Sequence, residues 1–412
     1  MEDRSYFIEM PRDLTSYEFY THVLPIRNEI EYKESDIILD FSRTFKVEPL
    51  VIPNLLCFGY ELGIRNGNVP KIYFPDTSYS GEVKNYLNEI GFFHYANKYG
   101  LFEFCSSPYS GLTGKKIDPI CGTLYFDTEN TVDEINRGVE LCIAPFADEY
   151  LYKFECIRSD LDQTYYVNDI TEFLSEIIMN CKQHAHSFSF TTLHAKYSAK
   201  KIYISVSDFG CGFLNTIASD LYCKDEVEAI LCGVYKRKES KVYGLYNIIR
   251  RVLEYNGKVR IHSNSEQLIF TPKILTSFLK NELLKNDNFK KYNIKRNVPF
   301  SGVHIEIELP LERRWGMFVI NEKNYIIIPI DYNAFFYSAK ENPKKIRYSK
   351  DYVISDNLFK EIFECINSNQ NKVIILDMRN IVFYNPRMFG DLEPYIAVSY
   401  THLRAHETEA DL

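Results

Sequence analysis

Glu176 and Asn180 stand four residues apart in a stretch, Ile170 to about His186, whose apolar residues Leu174, Ile177, Ile178 and Cys181 recur at helical spacing. That spacing predicts a helix and puts the carboxylate and the amide on one of its faces. A carboxylate so placed can activate a water for attack on a phosphate. An Asn oxygen can hold Mg2+, a hard cation that takes oxygen ligands. The pair alone says little, since many surface helices carry one. Asp208 follows 28 residues after Asn180, at the end of the alternating strand Lys201–Ser207, in Asp208-Phe209-Gly210-Cys211-Gly212-Phe213. An Asp at a strand end can accept a hydrogen bond from an exocyclic amine such as that of adenine. Gly210 and Gly212 would let the backbone come close to a ligand. Gly244-Leu245 opens a further helix after a basic and polar loop, Lys236 to Lys241. A helix N-terminus offers free N–H groups to phosphates. Gly302 precedes the strictly alternating strand Val303–Leu309.

The elements that must position these groups alternate between helix and strand over residues 160–310. Asp169 is a plausible N-cap for the first helix. A second helix, Tyr243–Tyr255, ends at Asn256-Gly257. Lys258–Ser263 and Gln267–Thr271 read as two strands joined by a short turn, and Pro310 closes the last strand. The Lys-rich stretch Ile274–Asn288 reads as a solvated helix inside an insert, 274–298.

The two ends of the chain resemble each other. Ile37-Ile38-Leu39-Asp40 is followed by Pro49, and Ile374-Ile375-Leu376-Asp377 by Pro386, at the same distance. Each reads as a buried strand, a loop and a helix that starts near Pro. In the first copy the helix covers Leu50 to about Gly63, then a strand Lys71–Phe74 and an amphipathic helix Glu82–Ile90. This pattern resembles the STAS fold of anti-anti-sigma factors. Regulated members carry a phosphorylatable Ser where the helix begins. Here those places hold Glu48-Pro49-Leu50 and Asn385-Pro386-Arg387, which argues against a phosphoswitch there.

In order and spacing the central motifs resemble the N box (Glu176, Asn180), G1 box (Asp208, Gly210, Gly212), G2 box (Gly244) and last-strand glycine (Gly302) of the GHKL ATPases. That superfamily unites gyrase, histidine kinases, anti-sigma-factor kinases and mismatch-repair proteins. The stretch YGLYNIIRRVLEYNGKVRIHSN is close to the family's GLGLY…VxxxGGxxxIxS pattern. The resemblance implies an α/β chain with a central two-layer sandwich of Bergerat type, a mixed sheet with helices on one face, flanked by STAS-like modules. It implies ATP and Mg2+ as cofactors. Asp208 would bind the adenine amino group, Asn180 would hold Mg2+ and Glu176 would be the general base. Residues between Gly212 and Gly244 would form a lid, and Leu245 and Gly302 would line the nucleotide. The sequence departs from the family at Val242, where G2 usually has a Gly, and at Val303, where a Thr often follows the last-strand Gly. Both changes remove flexibility or a polar group near the phosphates, so binding without turnover is an alternative.

The expected organisation is a STAS-like module at 1–100, a connecting region at 101–155, the ATP-binding domain at 156–312 and a second STAS-like module at 313–397. Val398 to Thr408 reads VSYTHLRAHET and looks like a translated sequencing adapter, so 398–412 is set aside. The net charge of −8 argues against a general nucleic-acid binder. The absence of a signal peptide and of any long apolar run, and ten cysteines without metal-ligand spacing, point to a reducing cytoplasm and no membrane. Residues 100–175 contain no His, so self-phosphorylation of the sensor-kinase type is disfavoured. His94, in GFFHYANKYG, lacks the following acid and the helical context expected of a phosphoacceptor, and His184 and His186 read as structural or surface residues. Three functions follow from the resemblance. The first is a signalling ATPase or serine/threonine protein kinase similar to anti-sigma-factor kinases, acting on a regulatory partner or on a STAS-like domain in cis. The second is a nucleotide-sensing module without turnover. The third is an ATP-dependent dimerising machine, disfavoured because no transducer domain follows; a homodimer is an expectation in any of them.

Overall fold

The computed structural model describes residues 5–30, 36–75, 78–112, 120–149, 160–196, 199–217, 223–235, 244–279, 283, 293–310, 320–321, 325–329 and 373–377. The chain is α/β and divides into two compact units, Met1–Arg313 and Arg314–Leu412.

The first unit begins with β1 (Ser5–Glu9) and β2 (Asp13–Leu14). A helical passage follows: α1 (Ser16–Glu18), a wide π-type turn over Phe19–Val23, and α2 (Leu24–Ile26). Next come β3 (Asp36–Asp40), β4 (Lys46–Val47), a 3₁₀ turn at Pro49–Val51 and α3 (Ile52–Asn66). The expected helix start near Pro49 is thus met by a turn whose first residue needs no N–H partner. β5 (Lys71–Tyr73), α4 (Ser78–Glu89), α5 (Phe92–Lys98) and β6 (Glu103–Phe104) complete this half. β1, β3, β5 and β6 form a parallel sheet in that order, while β2 and β4 pair separately.

β7 (Ile120–Phe126) and α6 (Val132–Glu149) fall in the segment expected only to connect. Instead β7 is an edge strand of the second sheet. α7 (Asp160–Asn180), β8 (Ser189–Lys196), β9 (Lys201–Asp208), α8 (Gly212–Ile217), α9 (Glu226–Tyr235) and α10 (Leu245–Glu254) follow. The unit closes with β10 (Lys258–Phe270), α11 (Leu275–Leu279) and β11 (Asn293–Pro310). The second sheet runs β10-β11-β9-β8-β7, and every pairing in it is antiparallel, where a mixed sheet was expected.

Three local expectations are corrected. The two strands and turn at 258–271 are one long strand. The polar residues Ser263 to Glu266 form an irregularity within it rather than a reversal, with Asn264 left-handed at φ 51°. The insert expected over 274–298 stops short, because β11 already runs from Asn293 and pairs with β10 there. α7 starts at Asp160, so Asp169 lies mid-helix and is no cap.

One face of the antiparallel sheet carries Ile202, Ile204, Val206, Val259, Ile261, Ile305, Ile307 and Leu309, all buried. Successive strand residues point to opposite faces, so Ser205, Ser207, His262, His304 and Glu306 share the other. These are buried too. The N-terminal half covers them: Ser205 Oγ donates to Leu50 O at 2.8 Å and Ser207 Oγ to Asn54 Oδ1 at 2.7 Å. Phe190, Val298 and Phe300 join the N-terminal hydrophobic core.

In the second unit, β12 (Ile320–Asn321) pairs antiparallel with β13 (Tyr325–Pro329), and β13 pairs parallel with β14 (Val373–Asp377). The repeat has a local counterpart here: each IILD strand pairs in parallel with an earlier strand and ends on its Asp, Asp40 opposite Glu9 and Asp377 opposite Pro329. Pro386 and 398–412 lie outside the described residues. Among the described residues no helix is long and apolar enough to cross a membrane.

Candidate functional site

Asp208 ends β9 at the apolar face and is 1% exposed. Its Oδ1 accepts two backbone N–H groups, from Gly210 at 2.8 Å and from Val303 at 3.1 Å. The Cys181 thiol also hydrogen-bonds this carboxyl. Burial pushes its pKa up to about 6, against the opposing pull of these three donors.

Gly302 has φ 96°, and a Cβ there would overlap the Asp208 carbonyl oxygen. The last-strand glycine is therefore what lets β11 turn its Val303 N–H onto the carboxylate. Gly212 is also left-handed, at φ 80°, and a side chain on it would meet Asn264 and Ser263. Three residues the sequence reading missed hold this turn. Ser263 Oγ accepts the Phe213 N–H at 3.0 Å and donates to Glu226. Glu226 Oε1 accepts Leu214 N–H at 3.2 Å, and Asn264 donates to its Oε2 at 3.1 Å. The one signal for Ser263 and Asn264 was a polar Ser-Asn-Ser run inside a strand pattern, which reads equally well as a turn, and Glu226 carried none.

α7 brings the N-box pair to this place. Glu176 and Asn180 lie on one half-buried face, and Asn180 Nδ2 donates to Glu176 Oε1 at 3.5 Å. The amide oxygen of Asn180 is thereby left as the acceptor a hard cation takes. Immediately after Asn180 the helix widens into a π-type turn, Cys181–Ala185, that ends at left-handed His186 (φ 49°). Such widened turns are frequent at functional sites. This one aims Cys181 at Asp208 and packs Ala185 against Gly210. Thr216 Oγ1 donates to His184 O at 3.4 Å.

Gly244 is the N-cap of α10, with extended backbone and nothing within 4 Å of where its Cβ would stand. Leu245 is the first helical residue and is buried. α10 is tied to α7 away from these glycines. Arg251 Nη1 donates to Asp169 Oδ1 at 2.7 Å and to Glu172, and the Tyr255 hydroxyl donates to Asp169 Oδ2. Asp208, Gly210 and Gly302 thus meet beside the turn that follows α7, Gly212 packs against β10, and Glu176 and Asn180 lie on the last turns of α7 that lead into that turn. Gly244 and Leu245 stand at the start of an element fixed to α7. Of the lid expected between Gly212 and Gly244, the described parts are helical, α8 and α9, while residues 218–222 and 236–243, Val242 among them, lie outside the described residues.

Among the described residues no group of three His, Cys, Asp or Glu side chains could hold a metal ion by itself. A phosphate-borne Mg2+ needs only one or two protein oxygens, so the Asn180 amide fits that ion and not a protein-caged one. No protein-family model, no curated protein and no solved structure matches the chain.

Proposed function

We propose that this protein binds ATP through a Bergerat-like, histidine-kinase-like ATPase region. It works as a cytoplasmic signalling ATPase or serine/threonine protein kinase similar to anti-sigma-factor kinases. The observation that carries the proposal is the Asp208 turn. A buried carboxylate is fixed by two backbone N–H groups, one from the turn that follows β9 and one from β11, the latter delivered by a glycine that admits no side chain. So costly an arrangement for one acid is what the reading of an amino group requires. Asp208 then accepts the adenine amine. Asn180 holds Mg2+ through its amide oxygen; the ion supplies neutralisation of phosphate charge. Glu176, on the same helical face, takes the proton of the attacking hydroxyl or water. The N–H groups at Gly244 and Leu245 face the phosphates. The recipient is a hydroxyl on a regulatory partner or on a STAS-like module in cis, and neither nucleic acid nor membrane takes part.

A second reading, nucleotide sensing without turnover, is favoured by Val303, which offers Asp208 a backbone N–H but no hydroxyl. Phosphate release and phosphotransfer from Mg-ATP by the full chain separate the two. The kinase reading expects turnover that Glu176→Ala abolishes while nucleotide still binds. Binding without any turnover in wild type would leave the sensing reading in its place.

A further inference from the structure

We propose that the N-terminal layer is a detachable cover of the antiparallel sheet: it leaves the polar face of β9, β10 and β11 while both halves stay folded. The first ground is composition. The same strands show an apolar face to α7 and α10 and a polar one to α3. A face sealed permanently would gain from apolar residues, as the opposite face does. Ser205, Ser207, His262, His304 and Glu306 are instead what a face that meets water carries.

The second ground is incomplete pairing. Glu306 is satisfied, accepting from Ser16, from Asn54 at 3.3 Å and from Arg260 at 3.1 Å. The histidines are not. His262 and His304 sit directly opposite each other on β10 and β11, each 1% exposed. Neither ring nitrogen of His262 has a partner, nor has Nδ1 of His304. On β8, His194 meets Tyr86 OH at 3.2 Å, but its Nε2 is unpaired. Each of these nitrogens would find water if the cover lifted, so docking leaves a debt that undocking cancels. Apolar anchors on either side keep the closed state populated: Phe300 against Phe19 and Tyr20, and Phe190 against Tyr95 and Tyr99.

Cys57 reports the motion without any introduced cysteine. It is fully buried on α3, with Sγ 3.8 Å from Ser207 O across the junction. Cys142, Cys181 and Cys232 are buried within the other half. The full chain is treated with iodoacetamide under native conditions and labelling is read peptide by peptide. Cys57 is expected to react about 10-fold or more faster than the slowest of the other three. His262→Phe keeps the ring stacked on Tyr20 but removes two unpaired nitrogens, and should slow Cys57 by about 10-fold. Asn54→Asp sets a second carboxylate beside Glu306 and should speed it, with the other cysteines unchanged. Cys57 reacting in step with the slowest buried cysteine, in wild type and in whichever variants fold, would overturn the proposal.

Discussion

Asp208 is the residue on which the chemistry turns, and its two predictions run in opposite directions with pH. Its folded pKa, about 6, lies above the ordinary value of 3.8 because it is buried. A raised carboxyl favours the fold fully below the unfolded pKa, and that contribution, about 3 kcal/mol, is lost as pH rises through about 6. Binding of an adenine amine needs the ionised acceptor, so nucleotide affinity should rise over the same window. Titrations at pH about 5 and about 7 check this; equal affinities would remove Asp208 from the contact. At Gly302 the expected effect is steric. Gly302→Ala puts a methyl into the Asp208 carbonyl and strains a left-handed backbone. It should cost roughly 2 kcal/mol or more in urea denaturation and weaken nucleotide binding as well.

At the scale of elements, the buried cluster of Arg251, Asp169, Glu172 and Tyr255 sets α10 on α7. Arg251→Ala would leave the buried Asp169 without its cation, and a loss of roughly 3 kcal/mol is expected from chemical denaturation. A loss below about 1 kcal/mol would mean that the cluster is solvated and does not fix the helices. The sequence announced both helices through their apolar spacing, but not this pairing. Asp169 has the composition of a cap, and its role depends on a partner 82 residues away. The pair Glu176 and Asn180, the Asp208 turn and the glycines were legible because local spacing carries them. The long ribbon of β10 and β11 was not, since Ser263 to Glu266 look like a turn until β11 pairs alongside.

At the scale of the molecule, the layer over the sheet was hidden for a related reason. The alternation in Val303–Leu309 marks one apolar and one polar face, and polar faces ordinarily meet water. Here His304 and Glu306 are covered by residues some 250 positions earlier, such as Asn54. Local pattern does not record such a contact. The cover should make the protein acid-sensitive. Burial lowers the pKa of His194 and His304 to about 3 and that of His262 well below its usual value. The groups facing the two opposed rings are Tyr20, Arg296, Phe300 and the Ser301 carbonyl, with Glu306 on the same face. Tyr86 and Lys196 face His194. A depressed histidine supports the fold fully above about pH 6.5, and that support is lost as pH falls toward about 3. A shift of that size is worth roughly 5 kcal/mol, so stability should drop across this window by more than Asp208 returns. Denaturation midpoints at pH about 7 and about 5 test it, and His304→Phe should flatten the drop.

The measurement that reaches the central claim most directly is calorimetric titration of the full chain with Mg-ATP, beside Asp208→Asn. The account predicts one site per chain in the wild type and none in the variant, while both remain folded by circular dichroism. A folded wild type that takes up no nucleotide, or a variant that binds as the wild type does, would contradict it.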